Sequence, residues 1–263
     1  PIKKKRNFSS IEDVLLYLKE RSAKFLRDKT SLLQKKHFSR FIKEATSFGG
    51  GLKGVRRALV GSWDGWVYGS GDLDKENLVK RIFQEVYLGS YFTSYYHLRP
   101  IFYRGKGLYL HEKLLIPRSI LSSLWKKLHL GIASGRPRFE AELALKRFRL
   151  LPYFDSIVTL DECIKEELRI FRTTGKRMSL LKPHPYSLQR VVQELDIHHP
   201  ECGYVGDVVD DMLAAQAAKK KLQMVAIGFV SAPGKRKVFK DLLFRAGADC
   251  VIENPEDLVQ LAT

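Results

Sequence analysis

From Leu108 to Thr263, short apolar runs alternate with segments of helical period, and that alternation leaves few folds open. Helix Arg118–Lys127 leads to strand Leu128–Ser134, then helix Arg138–Arg147 and strand Asp155–Leu160. Helix Ser187–Leu195, strand Gly203–Gly206, helix Asp210–Lys220 and strand Met224–Phe229 follow. Helix Arg236–Ala246, strand Cys250–Ile252 and helix Pro255–Leu261 close the series. Strands joined by helices run parallel, so the expected fold is α/β. It is a doubly wound parallel sheet with right-handed crossovers and its site at the strand C-termini. Residues 161–179 interrupt the pattern with many charges (Asp161, Glu162, Lys165, Glu166, Glu167, Arg169). They are read by default as solvated surface, with a helical insertion near the site mouth as the other reading.

Residues 1–107 read differently, as a mostly helical portion beside the α/β portion at 108–263. Ser9-Ser10-Ile11-Glu12-Asp13 is a helix-start signal ahead of an apolar period. A helix over Lys35–Thr46 ends at Gly49-Gly50-Gly51, Leu52–Leu59 suits a short helix, and Lys75–Leu88 carries one stripe of Leu78, Ile82, Phe83 and Val86. The aromatic residues that follow, Tyr87, Tyr91, Phe92, Tyr95 and Tyr96 among them, suit packing more than a substrate wall.

Several polar residues fall at predicted strand tips. In Tyr204-Val205-Gly206-Asp207-Val208-Val209-Asp210-Asp211-Met212, two carboxylates stand where a strand gives way to a helix. Hard oxygen ligands at that place suit Mg²⁺ bridging a phosphate, although an Asp in a first helical turn also caps free amides. The run Leu128–Ser134 ends in a hydroxyl and is followed by Gly135-Arg136-Pro137. Lys182 precedes Pro183-His184-Pro185 in a stiff turn. Singly, Ser134 is a turn residue and Lys182 a solvated charge. Together they could surround one phosphate, the hydroxyl donating, the ammonium neutralising developing charge and the carboxylates holding a metal. The Arg136 guanidinium could reach a phosphate or carboxylate of a substrate, or pair with an acid on the helical portion.

Gly131-Ile132-Ala133-Ser134-Gly135-Arg136-Pro137-Arg138, Lys182-Pro183-His184-Pro185 and Val205-Gly206-Asp207-x-x-Asp210-Asp211-Met212 resemble the second, third and fourth motifs of the haloacid dehalogenase-like (HAD) hydrolases. The resemblance covers roughly Leu108 to Thr263 and is nearest to the phosphoglycolate-phosphatase-like branch with a helical cap. It implies a Mg²⁺-dependent phosphatase that hydrolyses a small phosphomonoester through an aspartyl-phosphate. By the same resemblance Ser134, with Gly135 and Arg136, binds the transferring phosphoryl group, and Lys182 stabilises it. Asp207 is then a catalytic Mg²⁺ ligand, Asp211 supports the metal or its waters, and residues 1–107 supply most of the cap.

The first motif of that family, a strand ending in Asp-x-Asp, is not found. Ser62-Trp63-Asp64 has its outline with Ser62 at the nucleophile position. Asp72-Leu73-Asp74 has its letters behind Gly-Ser-Gly, where a helix cap is the better reading. Because that strand is central in the fold, deleting it would expose two hydrophobic sheet edges. The expectation is therefore that the nucleophile strand lies upstream of residue 1. The alternative is a catalytically inactive scaffold, or an anion- or nucleic-acid-binding protein, with a degenerate motif at Ser62.

Composition narrows the remaining classes. Cys163, Cys202 and Cys250 are too few and too far apart for a disulfide framework or a zinc site. No apolar run approaches the length of a membrane span and no leader pattern is present, so a cytoplasmic protein is expected. The net charge of +17 is spread over many short basic clusters without a nucleic-acid-binding motif. It is read as solvated faces and anion steering toward a small phosphorylated substrate, with nucleic acid not expected as a partner.

Overall fold

Parallel strands cannot be joined by tight turns, and each strand here is followed by a helix before its neighbour returns. A computed structural model of the chain describes residues 31–48, 57–58, 73, 78–198, 200–231 and 236–262. The readings at Ser9–Asp13, Gly49–Gly51, Ser62-Trp63-Asp64, Asp72 and Asp74 lie outside the described residues, as does most of Leu52–Leu59. The chain divides into two compact units, 1–111 and 112–263. Among the described residues no helix is long and apolar enough to cross a membrane.

The first unit contains α1 (Ser31–Ser47), α2 (Leu78–Leu88) and α3 (Tyr91–Tyr96). Its organising contact is the fully buried ion pair of Arg81 and Glu85, one turn apart on α2 at 2.6 Å. Glu85 accepts the backbone N–H groups of Ile101, Phe102 and Tyr103, and Arg81 donates to the Arg99 carbonyl. One carboxylate therefore fixes a loop that has no ladder partners of its own. The Arg81 guanidinium also lies over the ring of buried Phe92, 4.8 Å from its centroid. Tyr87, Tyr91 and Tyr109 meet edge to face, which is the packing role read for this cluster.

The second unit is the α/β portion, with parallel strands and helices on both faces. It runs α4 (Arg118–Trp125), β1 (Gly131–Ala133), α5 (Arg138–Arg147), β2 (Ser156–Val158), α6 (Leu160–Thr174) and α7 (Tyr186–Leu195). It continues with β3 (Glu201–Gly206), α8 (Val209–Ala218), β4 (Gln223–Phe229), α9 (Arg236–Arg245), β5 (Cys250–Ile252) and α10 (Asp257–Leu261). One expectation is corrected here. Residues 161–179 are not merely solvated surface, because most of them form α6. That helix starts from a capping box in which the Thr159 hydroxyl accepts from the Asp161 N–H and Glu162 reaches back to the Thr159 N–H at 2.7 Å.

Among the described residues the strands form two sheets, β2–β1 and β3–β4–β5, each wholly parallel. The two lie edge to edge in one layer, because the same cores run across both. On one face Ala133 of β1 packs with Tyr204 of β3, Ala226 of β4 and Leu188 of α7. On the other, Leu130 packs with Val205, Ile227 and Leu124 of α4. Helix α7 presses on β1 at Gly131, where any Cβ would strike Val191. The facing edges are β1 and β3.

Two stability predictions follow from this packing. Replacing Glu85 with Gln removes one charge of a buried pair while the Arg81 guanidinium stays buried, and should cost about 3–5 kcal/mol, read as a lowered urea midpoint. Asp249, at the mouth of β5, accepts from Lys219 at 2.6 Å and from the Ala226 N–H at 2.6 Å. Burial alone would raise its pKa, but the Lys219 bond and that amide outweigh it and hold the carboxyl below its ordinary value. Its stabilisation is thus present above the unfolded-state pKa and lost as pH falls through the folded one. Asp249→Asn should flatten the fall of Tm below about pH 4 while leaving the other acid transitions in place.

Candidate active site

The tip of β1 is built by one more ladder bond, from the Ser134 N–H to the Val158 carbonyl at 2.9 Å. The chain then turns away, and the Ser134 hydroxyl oxygen accepts the Arg136 N–H at 3.1 Å. That leaves the hydroxyl proton of Ser134 able to donate elsewhere. Gly135 is exposed with open space around it. The Arg136 guanidinium pairs with Glu112 at 2.7 Å. Glu112 is the first residue of the α/β unit.

Lys182 stands in the loop before α7 and reaches between the facing edges. Its Nζ donates to the Ala133 carbonyl at 2.9 Å, to the Tyr204 hydroxyl at 2.7 Å and to Asp211 Oδ1 at 2.6 Å. These three bonds use all three protons of the ammonium. The Ser134 N–H donates to the Val158 carbonyl and the Leu130 carbonyl accepts the Asp155 N–H, so the backbone groups of residues 130 and 134 face the β2 side. Backbone groups alternate along a strand, which turns the Ala133 carbonyl to the opposite, open edge. Lys182 therefore takes a ladder group that no strand takes among the described residues.

Asp211 is the other half of this anchor. It is the third residue of α8 and 5% exposed. Oδ1 accepts from Lys182 and, at 2.9 Å, from the Tyr204 hydroxyl, while Oδ2 accepts the N–H groups of Asp207 and Val208 at 3.2 and 3.4 Å. A Cβ at residue 206 would collide with the Asp211 side chain, so Gly206 is what lets this carboxylate fold back over the strand end. Burial, together with the Asp211 charge and hydrogen bond, pushes the Tyr204 hydroxyl well above its ordinary pKa and keeps it protonated. Burial and the Asp211 charge also raise Asp210, against the pull of Lys182. The Asp207 side chain is exposed at the tip of β3.

Lys182, Asp211 and the β1 tip that leads into Ser134 are thus drawn together, and the Asp207 amide is tied into the same network. The sequence reading missed Tyr204. Its signal was present, since a phenol two residues before Gly206 on a buried strand must find a polar partner. His184, left without a role, accepts the Tyr186 N–H through Nδ1 at 3.2 Å, and burial lowers its pKa, so it serves the start of α7 as a neutral ring. Among the described residues no three His, Cys, Asp or Glu side chains gather as a metal cage. The donor chemistry still fits Mg²⁺, which is held by one or two carboxylates and keeps several waters. Asp207 is the open oxygen donor and Asp210 the neighbouring one. Asp211, with both oxygens engaged, orients its surroundings.

Residues 117–225 match the family model of haloacid dehalogenase-like hydrolases. The chain is 33% identical over 131 residues to pyrophosphatase PpaX of Bacillus pumilus (strain SAFR-032), covering 46% of this chain and 52% of that one. It is 31% identical over 96 residues to the protein of the same name from Bacillus thuringiensis (strain Al Hakam), covering 36% and 38%. It spans about half, or less, of the length of these curated relatives. Solved structures similar to it include a HAD phosphatase from Thermococcus onnurineus (TM-score 0.44, 18% identity, 84% of this chain and 85% of that one). Another is a HAD family hydrolase from Deinococcus radiodurans R1, solved with bound phosphate and sodium (TM-score 0.42, 18% identity, 66% and 73%). Two of the three motifs stand at parallel strand tips and the third in the loop before α7, and over residues 117–225 the α/β portion of this chain is similar to the haloacid dehalogenase-like hydrolases.

The anchor predicts an order of sensitivities. Tyr204→Phe should cost about 1.5–3 kcal/mol, because a bond to each of two charged groups is lost. Asp211→Ala should cost more, about 3–5 kcal/mol, because it leaves the Lys182 ammonium, 17% exposed, without its counter-charge. Urea titrations of the two variants beside the parent check that order.

Proposed function

We propose that this chain carries the phosphate- and metal-binding part of a Mg²⁺-dependent phosphatase that cleaves a small phosphomonoester through an aspartyl-phosphate. The observation that carries this reading is Lys182, a nearly buried ammonium held between two strand tips. One tip leads to a hydroxyl with a free proton and the other to an exposed carboxylate. In this reading the Ser134 hydroxyl and the Gly135 backbone hold the phosphoryl oxygens, and Arg136 stands beside them. Lys182 offsets charge that builds on the transferring group. Asp207, with Asp210 near it, holds Mg²⁺, which when bound polarises a phosphoryl oxygen.

The attacking carboxylate belongs on a strand seated between β1 and β3. Such a strand would take the Ala133 carbonyl into its ladder and return one Nζ proton of Lys182 to the site. Transfer to that carboxylate breaks the phosphorus–ester oxygen bond and forms a phosphorus–carboxylate bond. Water then cleaves the acyl phosphate. The helical unit would act as the cap that selects substrate. The relatives named as pyrophosphatases place inorganic pyrophosphate beside simple phosphomonoesters among the substrates to try.

The test is phosphate release from such a panel, with Mg²⁺ and with EDTA, by the longest open reading frame that contains this chain. Metal-dependent turnover should fall by a factor of about 10²–10³ in Asp207→Asn with the fold retained, and at least as far in Lys182→Met, which also loses stability because Asp211 is left without its counter-charge. A folded full-length protein without turnover would overturn the enzyme reading and favour a non-catalytic scaffold with Ser62 at the nucleophile position.

A further inference from the structure

The turn that carries the Ser134 hydroxyl is bonded at several points to the start of α6. Both polar backbone groups of Arg136 are taken. Its N–H donates to the Ser134 hydroxyl oxygen, and its carbonyl accepts the Leu160 N–H at 3.0 Å. Two residues on, the Arg138 N–H donates to Asp161 Oδ2 at 2.7 Å. The Arg138 side chain crosses to the same place. Its guanidinium lies 2.8 Å from Glu162 Oε1 and donates to the Ile157 carbonyl of β2.

Glu162 is where these contacts converge. Oε1 holds Arg138, while Oε2 accepts the N–H and the hydroxyl of Thr159 at 2.7 and 2.6 Å. Thr159 is fully buried and follows Val158, whose carbonyl accepts the Ser134 N–H. Burial alone would raise the Glu162 pKa, but the bonds from Thr159 and Arg138 outweigh it and hold the carboxyl below its ordinary value. Capping α6 accounts for the Thr159 half of these bonds only. The Arg138 half serves no helix end, and a cation as the first residue of α5 goes against the helix dipole.

We infer that Glu162 is a positioning residue for the Ser134 hydroxyl, acting through Arg138 and Thr159 to lock the 134–138 turn against the end of β2. The inference rests on the phosphate-binding role given above to Ser134. A hydroxyl donates well to a phosphoryl oxygen only when its direction is fixed in advance. Here the direction is set by the Arg136 N–H, which occupies the hydroxyl oxygen, and the lock keeps that N–H in place. If the turn swings free, the bond and the aim of the hydroxyl proton go together.

The test uses the longest open reading frame that contains this chain, with p-nitrophenyl phosphate as substrate. Glu162→Ala should lower kcat/KM about 10- to 100-fold. It should also speed amide exchange at Arg136 and Arg138 by about tenfold or more. Glu162→Gln, which keeps one acceptor oxygen, should show a smaller change of both kinds. Glu166→Ala, which breaks an exposed pair with Arg169 on the same helix, should change neither. In a Ser134→Ala background the further loss from Glu162→Ala should shrink to less than about threefold, because the group it positions is gone. Equal losses in the two backgrounds mean a role in stability alone and overturn the inference. So does unchanged exchange at both amides in the folded Glu162 variants. A folded parent without turnover counts against the phosphatase reading and not against the lock, which exchange at Arg136 and Arg138 still decides.

Discussion

The α/β unit depends on one ammonium group. Lys182 donates to a β1 carbonyl, to a phenol of β3 and to a carboxylate of α8, and so joins the two sheets across edges that share no ladder bonds among the described residues. Apolar packing against α7 and α4 holds the halves side by side, but packing is non-directional and sets no register. The three bonds of Lys182 supply the direction. They set the tip of β1 against the tip of β3, where the hydroxyl and carboxylates of the site stand.

The same bonds mark a sheet edge that no strand among the described residues fills. A carbonyl at a sheet edge is a strand's partner, and a side-chain ammonium is a substitute that blunts the edge without extending the sheet. The Asp211 carboxylate illustrates the cost of holding such a group. All of its acceptor capacity goes to Lys182, Tyr204 and two amides of the strand-to-helix turn. That fixes the turn and leaves the outward carboxylate, Asp207, as the one presented at the strand tip.

Much of this was legible in the residues. The helices at Arg138–Arg147 and Tyr186–Leu195 and the strands at Cys250–Ile252 and Gln223–Phe229 fall where apolar period and flanking punctuation place them. The order of strands in the layer was not legible, because periodicity shows that a strand is buried and not which strand lies beside it. Helix α6 was read only as the second of two alternatives, because its charges dominate the composition of residues 161–179. The Thr159-x-x-Glu162 cap that starts it was nonetheless on view. At the site, spacing singled out Lys182 and Asp211 as partners of a phosphate and a metal. It could not show that they are first partners of each other, a contact between residues 29 apart in the chain.

Two shielded ion pairs among the described residues, Arg81–Glu85 and Lys182–Asp211, look alike and differ in what they hold. Exchanging a buried pair for apolar side chains is often neutral for stability, so neither is explained by stability alone. Arg81 and Glu85 both bond backbone groups of residues 99–103, and the pair is almost wholly closed to solvent. No apolar replacement could satisfy that loop, which is reason enough for the charges. Lys182 and Asp211 satisfy groups that regular structure would otherwise serve, an edge carbonyl and two amides at a helix start. What an apolar pair could not reproduce there is a positive charge at the junction of two strand tips, 17% exposed toward solvent. A charge kept at that place, where burial strengthens its field, is what the proposed phosphate site would draw on.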